Sequence, residues 1–167
     1  DVIDEYNHAL GLLDDYDHQR VLKIESAGPV TYILTYPEAL QIVAELRTRF
    51  HASTVFGLEK DQSLAGTLGA IMQTFDGKEL YPGLEEKAVH LLYFLVKNHS
   101  FVDGNKRIAA VLFLWFLERN GVLFKTDGTS RVSNATLVAL TLMIAESRPA
   151  EKDILNRIVM NIVFAEQ

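Results

Sequence analysis

Apolar residues recur with a helical period along most of the chain. Val2, Ile3, Tyr6, Ala9, Leu10 and Leu13 share one stripe and predict an amphipathic first helix. A polar stretch then ends in Ser26-Ala27-Gly28-Pro29, a joint that divides the chain into an N-terminal helical appendage (1–30) and a main domain (31–167). Val30 to Thr35 is β-prone but short. Thr35-Tyr36-Pro37-Glu38 is a capping box with proline in the first turn, so a helix starts there, with Leu40, Val43, Leu46 and Phe50 on its apolar side. Leu64, Leu68, Ile71, Met72 and Phe75 mark another helix. Asp76-Gly77, set between Phe75 and Leu80-Tyr81, predicts a small β-hairpin closed by Pro82-Gly83.

Two strongly apolar helices follow. One begins with Glu85 and Glu86, whose charge suits a helix N-terminus, and runs to about Lys97; the other opens at Asn105 and stops at Asn120-Gly121. Both are apolar nearly all the way round, which places them at the centre of a bundle. A minor hairpin around Asp127-Gly128, a helix capped by Ser133 through Leu137, Leu140 and Ile144, and a final amphipathic helix after Pro149 complete a mainly α architecture.

Composition narrows the function. The 167 residues are 49% hydrophobic and 23% charged with no cysteine, which excludes disorder, a disulfide scaffold, a thiolate metal site and a cysteine nucleophile. A formal charge of −6 argues against direct nucleic-acid binding. The longest apolar run, the ten residues from Ile108 to Leu117, is half of what a bilayer requires, so no membrane span is expected. The N-terminus has neither the basic start nor the apolar stretch of a signal peptide, and a cytoplasmic protein is expected. It also lacks an initiator methionine, as a piece of a longer protein would.

Polar function is concentrated in His99-Ser100-Phe101-Val102-Asp103-Gly104-Asn105-Lys106-Arg107, between the two central helices. A loop feeding a helix N-terminus offers unpaired backbone N–H groups and the positive end of the helix dipole to an anion. Gly104 permits a tight turn, Lys106 and Arg107 add cationic donors, and Asp103 supplies a hard oxygen suited to Mg²⁺ shared with substrate phosphates. His99 can accept a proton near neutral pH. Singly, each has a plainer reading: a structural histidine, a capping Asp or Asn, two solvated cations. Together they describe a phosphoryl-type transfer site.

This segment resembles the core motif of the Fic/Doc family, His-x-Phe-x-Asp/Glu-Gly-Asn-Gly/Lys-Arg, at every fixed position: His99, Phe101, Asp103, Gly104, Asn105, Lys106 and Arg107. The resemblance covers roughly residues 35 to 150 and implies a helical bundle with a small β-hairpin flap. It implies an enzyme that moves a phosphate or AMP group from ATP to a Ser, Thr or Tyr hydroxyl of a target protein. His99 would be the general base and Asp103 the Mg²⁺ ligand. Gly104, Asn105, Lys106 and Arg107 would bind the nucleotide phosphates, Phe101 would pin the loop, and Gly77, Lys78 and Glu79 would form the target-docking flap. The stretch Leu12-Leu13-Asp14-Asp15-Tyr16-Asp17-His18 is similar to that of bacterial RhuM-type virulence-associated proteins.

Lys106 stands where adenylylating members have a second glycine, and Ala110 where they have a second arginine. The lysine form resembles Doc-type toxins, which implies phosphate transfer ahead of AMP transfer. The nearest match to the family's inhibitory helix, Ser147-Arg148-Pro149-Ala150-Glu151-Lys152, carries a proline and lacks the last motif residue, so it is expected to start the final helix instead. An inhibitor or antitoxin would then act in trans. The rival class is a catalytically silent nucleotide- or protein-binding regulatory module.

Other motifs are weaker. There is no P-loop, no His-Glu-x-x-His pair and no Gly-x-Ser-x-Gly elbow. Asp14, Asp15, Asp17 and His18 read as a solvated acidic helix end, Trp115 as core, and His8, His51 and His90 have no partner visible in the sequence.

Overall fold

The structure is a computed structural model that describes residues 2–24, 28–50, 53–72, 74–75 and 78–165. In chain order its elements are α1 (Val2–Glu5), α2 (Asn7–Asp17), α3 (Tyr36–Arg49), α4 (Ser63–Met72), β1 (Thr74–Phe75), β2 (Lys78–Glu79), α5 (Leu84–Lys97), α6 (Asn105–Arg119), α7 (Asn134–Glu146) and α8 (Lys152–Phe164). The fold is mainly helical, as the periodicity predicts. Among the described residues no helix is long and apolar enough to cross a membrane.

α5 is the axis of the bundle. It packs against α4, α6, α7 and α8, and ten of its 14 residues are buried. Two of its lysines serve its neighbours: Lys87 Nζ, itself buried, donates to the Ile71 carbonyl near the end of α4, and Lys97 Nζ donates to the carbonyls of Ala145 and Ser147 where α7 ends. Cations at helix C-termini complement both the unpaired carbonyls and the dipole. α6 is less enclosed than its composition suggests. Seven of its 15 residues are buried, while Val111, Leu114 and Trp115 are half-buried against the core margin.

Capping follows the sequence signals closely. The Thr35 side chain accepts from Glu38 N at α3, and Ser133 accepts from Thr136 N at α7. Pro149–Glu151 form a short 3-10 turn that leads straight into α8, with Glu151 accepting from Arg148 N.

Four expectations differ from what is seen, the first being Phe75, which the helical spacing groups with Leu64 to Met72 but which follows the end of α4 and pairs with Lys78. Val30 to Thr35 forms no strand, because its backbone is engaged by a side chain: Asn120 Oδ1 accepts from Thr31 N and Tyr32 N, and Asn120 Nδ2 donates to Tyr32 O. Phe50 is exposed, just beyond the end of α3. The first helix is interrupted at Tyr6, and its apolar stripe of Val2, Ile3, Tyr6, Leu10 and Leu13 is 47–69% exposed. α2 touches the bundle through another face, where Tyr16 Oη donates to Glu151 at 3.2 Å. The chain then returns through Val21, which is buried and whose carbonyl accepts from Arg157.

β1 and β2 pair antiparallel, with Thr74 opposite Glu79 and Phe75 opposite Lys78. The predicted Asp76-Gly77 turn lies outside the described residues, as does His51. Around Asp127-Gly128 a single antiparallel bridge joins Phe124 to Ser130.

Candidate functional site

α5 ends at Lys97, Asn98 caps it, and His99 follows with φ of +52°. That is the position after a helix where glycine most often takes the left-handed conformation. Histidine tolerates it better than most residues, at a cost that surrounding contacts must offset. Those contacts come from two directions.

The first is Asn105, the first residue of α6, whose side chain is buried. Its Oδ1 accepts from Phe101 N at 3.0 Å and its Nδ2 donates to Phe101 O at 2.8 Å. Those two bonds fix the amide's orientation, and Nδ2 also stands 3.4 Å from His99 Nδ1, a long and weak contact. Asn105 therefore ties both ends of the loop together through its side chain; what it can offer an anion is its backbone N–H.

The second is the segment from Phe56 to Lys60, an irregular stretch that runs beside the loop and bonds to it through its backbone. Gly57 N donates to Asp103 O, Val102 N to Leu58 O, and Lys60 N to Ser100 O, at 2.8–3.1 Å. Bridges join Glu59 to Phe101 and Phe56 to Asp103. The Tyr36 hydroxyl donates to Glu59 at 2.6 Å, and that bond raises the Tyr36 pKa above the ordinary phenol range. Beneath the loop, Phe101 is buried as expected, and the buried Ser100 hydroxyl meets Ser63 at 2.6 Å.

Gly104 caps α6 with φ of +91°, and a Cβ there would lie 2.3 Å from the Phe56 ring. Both backbone and space demand glycine. No side chain caps α6, and among the described residues the N–H groups of Asn105, Lys106 and Arg107 have no acceptor. These three amides, the positive end of a 15-residue helix, face a cavity of about 360 Å³ lined by His99, Val102, Asp103, Gly104 and the side chains that open α6.

His99 is exposed at this cavity, as are Lys106 and Arg107. Among the described residues Lys106 makes no ion pair. The Arg107 guanidinium lies 4.6 Å from the centre of the Phe56 ring and 3.7 Å from Asp103. The Asp103 carboxylate is about half exposed, and its Oδ2 accepts from Ser53 at 3.3 Å. Among the described residues no three His, Asp or Glu side chains gather to hold a metal by themselves. A lone accessible carboxylate beside acceptor-free amides instead suits a hard cation such as Mg²⁺ that brings most of its oxygen ligands with it.

One stretch of chain thus brings together His99, Asp103, Gly104, Asn105, Lys106 and Arg107. Of the three residues expected to form a flap, Lys78 and Glu79 contribute backbone pairing in β2, and Gly77 lies outside the described residues. A groove of about 470 Å³, lined by Thr67, Ala70, Tyr81, Phe94 and Asn98 among others, runs from just past β2 to the residue before His99. Ser53, Phe56 and Glu59 escape a reading of the sequence. They sit in an aperiodic stretch, and only the Phe56-Gly57 pair hints at a close backbone approach.

The sequence profile of the Fic/DOC family matches residues 33–117. Toxin Doc of Mycolicibacterium smegmatis is 46% identical over 54 residues, which cover 32% of this chain and 42% of that protein. The match thus spans less than half of the relative's length. No solved structure matches the chain significantly.

Proposed function

The chain belongs to the Fic/DOC family, and from that membership we propose that it transfers a phosphoryl group from ATP to a Ser, Thr or Tyr hydroxyl of a target protein, with AMP transfer as the alternative outcome of the same site. One observation carries the reading: a solvent-accessible imidazole, His99, is held in a left-handed backbone conformation beside three acceptor-free amides of a helix N-terminus. Anion binding alone needs the amides and not the imidazole.

In the proposed reaction the triphosphate lies across the N–H groups of Asn105, Lys106 and Arg107, with the two cationic side chains around it. His99 takes the proton of the target hydroxyl as its oxygen forms a bond to the γ-phosphorus. The bond from that phosphorus to the β,γ-bridging oxygen breaks, and ADP leaves with the electron pair. The fixed amides and the helix dipole stabilise the charge that develops on the transferred group without rearranging. Asp103 would hold the Mg²⁺ that accompanies the nucleotide and neutralises charge between its phosphates.

Phosphate is favoured over AMP because a lysine side chain projects from the first turn of α6 and a half-buried alanine, Ala110, replaces a second phosphate-binding arginine. The target segment would pair with the hairpin by strand addition, its hydroxyl reaching His99 along the groove floored by Thr67 and Phe94. Likeness to a toxin supports a partner protein, acting as antitoxin, that silences the site in trans. Incubating the chain with lysate and ATP labelled at the γ or the α position tests this. Transfer of γ label alone establishes phosphorylation, and transfer of α label establishes AMP transfer. No transfer from either position, with His99→Ala indistinguishable, reduces the domain to a binding module.

A further inference from the structure

The Arg107 guanidinium stands at the edge of the His99 cavity on a side chain with several free torsions, so something must hold it there if it is to meet a phosphate. Its ion pair does little of this. Asp103 Oδ2 lies 3.7 Å away, beyond hydrogen-bond reach, and both side chains are about half exposed. Among the described residues its other partners are two aromatic rings, those of Phe56 and Phe50. A ring attracts a cation through its quadrupole and needs no lone pair, which leaves the N–H donors of the guanidinium for an anion.

The two rings differ in how they are held. Phe56 is fully buried: its carbonyl accepts from Arg47 Nε at 2.7 Å, its N–H donates to Ser53 O at 3.1 Å, and its ring leaves no room for a Cβ at Gly104. The Arg107 Cζ sits 4.6 Å from the centre of that fixed ring. Phe50, where α3 ends, is 53% exposed, and its ring centre is 5.9 Å from the same carbon. Both separations fall within the range of about 6 Å over which a ring attracts a cation. The end of α3 thus reaches the site twice, through Arg47 on the Phe56 backbone and through Phe50 on Arg107. Phe50 lies outside the hydrophobic core, so a change there can be read at Arg107 without disturbing the packing beneath.

We propose that Phe50 is a positioning residue for anion binding: together with Phe56 it confines the Arg107 guanidinium to the edge of the cavity, with its donors available to a phosphate chain on the α6 amides. This role rests on the nucleotide-binding reading of the same site and extends it to a residue outside the His99–Arg107 segment. Because neither ring needs a donor, Arg107 stays placed when Asp103 turns to another cation. Phe50 acts through Arg107 on phosphate and not on the nucleobase, so its effect is the same for any polyphosphate.

Calorimetric titration of the whole chain with ATP and with inorganic tripolyphosphate, which has neither base nor ribose, tests the proposal. Phe50→Leu keeps an apolar side chain without a π face; it should melt with the parent and weaken both ligands alike, by about three- to tenfold. Phe50→Tyr restores a ring and should bind within about twofold of the parent. In Arg107→Met, which keeps the amides and Lys106, adding Phe50→Leu should weaken binding no further, because the ring has lost the group it acts on. The proposal is overturned if Phe50→Leu binds tripolyphosphate like the parent, if only ATP is weakened (the ring then stacks on the base), or if the double variant loses as much again. A parent that binds neither ligand overturns the nucleotide-binding reading, and this role with it, before any variant is compared.

Discussion

Two histidines nine positions apart on and beyond α5 occupy opposite environments. His90 is on the helix, its side chain 14% exposed, stacked on Tyr81 with ring centres 4.1 Å apart and bonded to the Glu86 carbonyl. Burial pushes its pKa below the ordinary histidine range, against the opposing pull of that carbonyl bond and of Glu86. His99 stands just past the helix, open to solvent, on a backbone that only its neighbours' bonds make tenable. An imidazole that is to take a proton from another molecule needs access and a fixed position. An imidazole that fills a packed interface needs neither, and the chemistry a histidine can do is decided by its surroundings.

The sharpest way to break the comparison is to delete each ring. His99→Ala is expected to lower transfer by about 10²- to 10⁴-fold, the usual worth of a positioned general base. Its melting temperature should stay nearly level, because the ring is exposed and alanine keeps the Cβ that the left-handed backbone already carries. His90→Ala should do the reverse, leaving transfer within a few-fold and lowering stability by about 1–3 kcal/mol through lost packing and the lost bond to Glu86. Label transfer and urea unfolding on both variants decide it; a His99→Ala protein as active as the parent ends the enzymatic reading.

Next in size is Gly104→Ala. A Cβ at 2.3 Å from the Phe56 ring, on a backbone at φ +91°, must displace either the ring or the loop. Strain and overpacking together should cost about 2–4 kcal/mol and abolish transfer along with stability. A variant that unfolds at the parent's denaturant concentration would mean that Phe56 does not support the loop.

Much of this is legible in the sequence, for identifiable reasons. The run from His99 to Arg107 can be read because its chemistry is contiguous and is bracketed by two unmistakably apolar helices. The helix caps at Thr35 and Ser133 can be read because capping is local. The Phe56–Lys60 segment cannot, since its bonds go to a loop far along the chain and an aperiodic stretch carries no sign of them. Val30 to Thr35 misleads for the same reason: its β-prone residues have no strand to pair with, and Asn120 takes their amides. The stripe on α1 and α2 predicts helical structure but neither the break at Tyr6 nor which face meets the bundle, because Tyr16 and the return through Val21 decide the latter. His90 looks isolated until the fold brings Tyr81 and α8 to it.

A smaller effect separates the two roles of Asn105. Asn105→Ala leaves the buried N–H and C=O of Phe101 without their partners, at about 1–3 kcal/mol, and frees the loop that sets His99. Both stability and transfer should fall. Asn105→Asp keeps an acceptor for Phe101 N but loses the donors to Phe101 O and His99, so it should recover part of the stability and little of the transfer. Hydrogen exchange at the Phe101 amide checks the assignment: protection that survives in Asn105→Ala would show that the side chain does not tie the loop.

The smallest expected effect is on stability against pH, and it returns to His90. Because its folded-state pKa lies below the unfolded value, the unfolded chain binds the proton more readily. Stability should therefore be fully present above about pH 6.5, the unfolded histidine value, and decline as the pH falls from there towards the folded pKa. One proton limits the slope to about 1.4 kcal/mol per pH unit. His18 works in the opposite sense. Its pKa is raised by the bond to the Asp14 carbonyl and by the Asp14 charge, so its contribution is present at low pH and lost as the pH rises through the folded value. It is fully exposed, solvent screens it, and the slope in this window should belong to His90. Urea midpoints measured from pH 5 to 8 on the parent and on His90→Gln test the sign: the variant should flatten the curve below neutrality, and an unchanged curve would place the titrating group elsewhere.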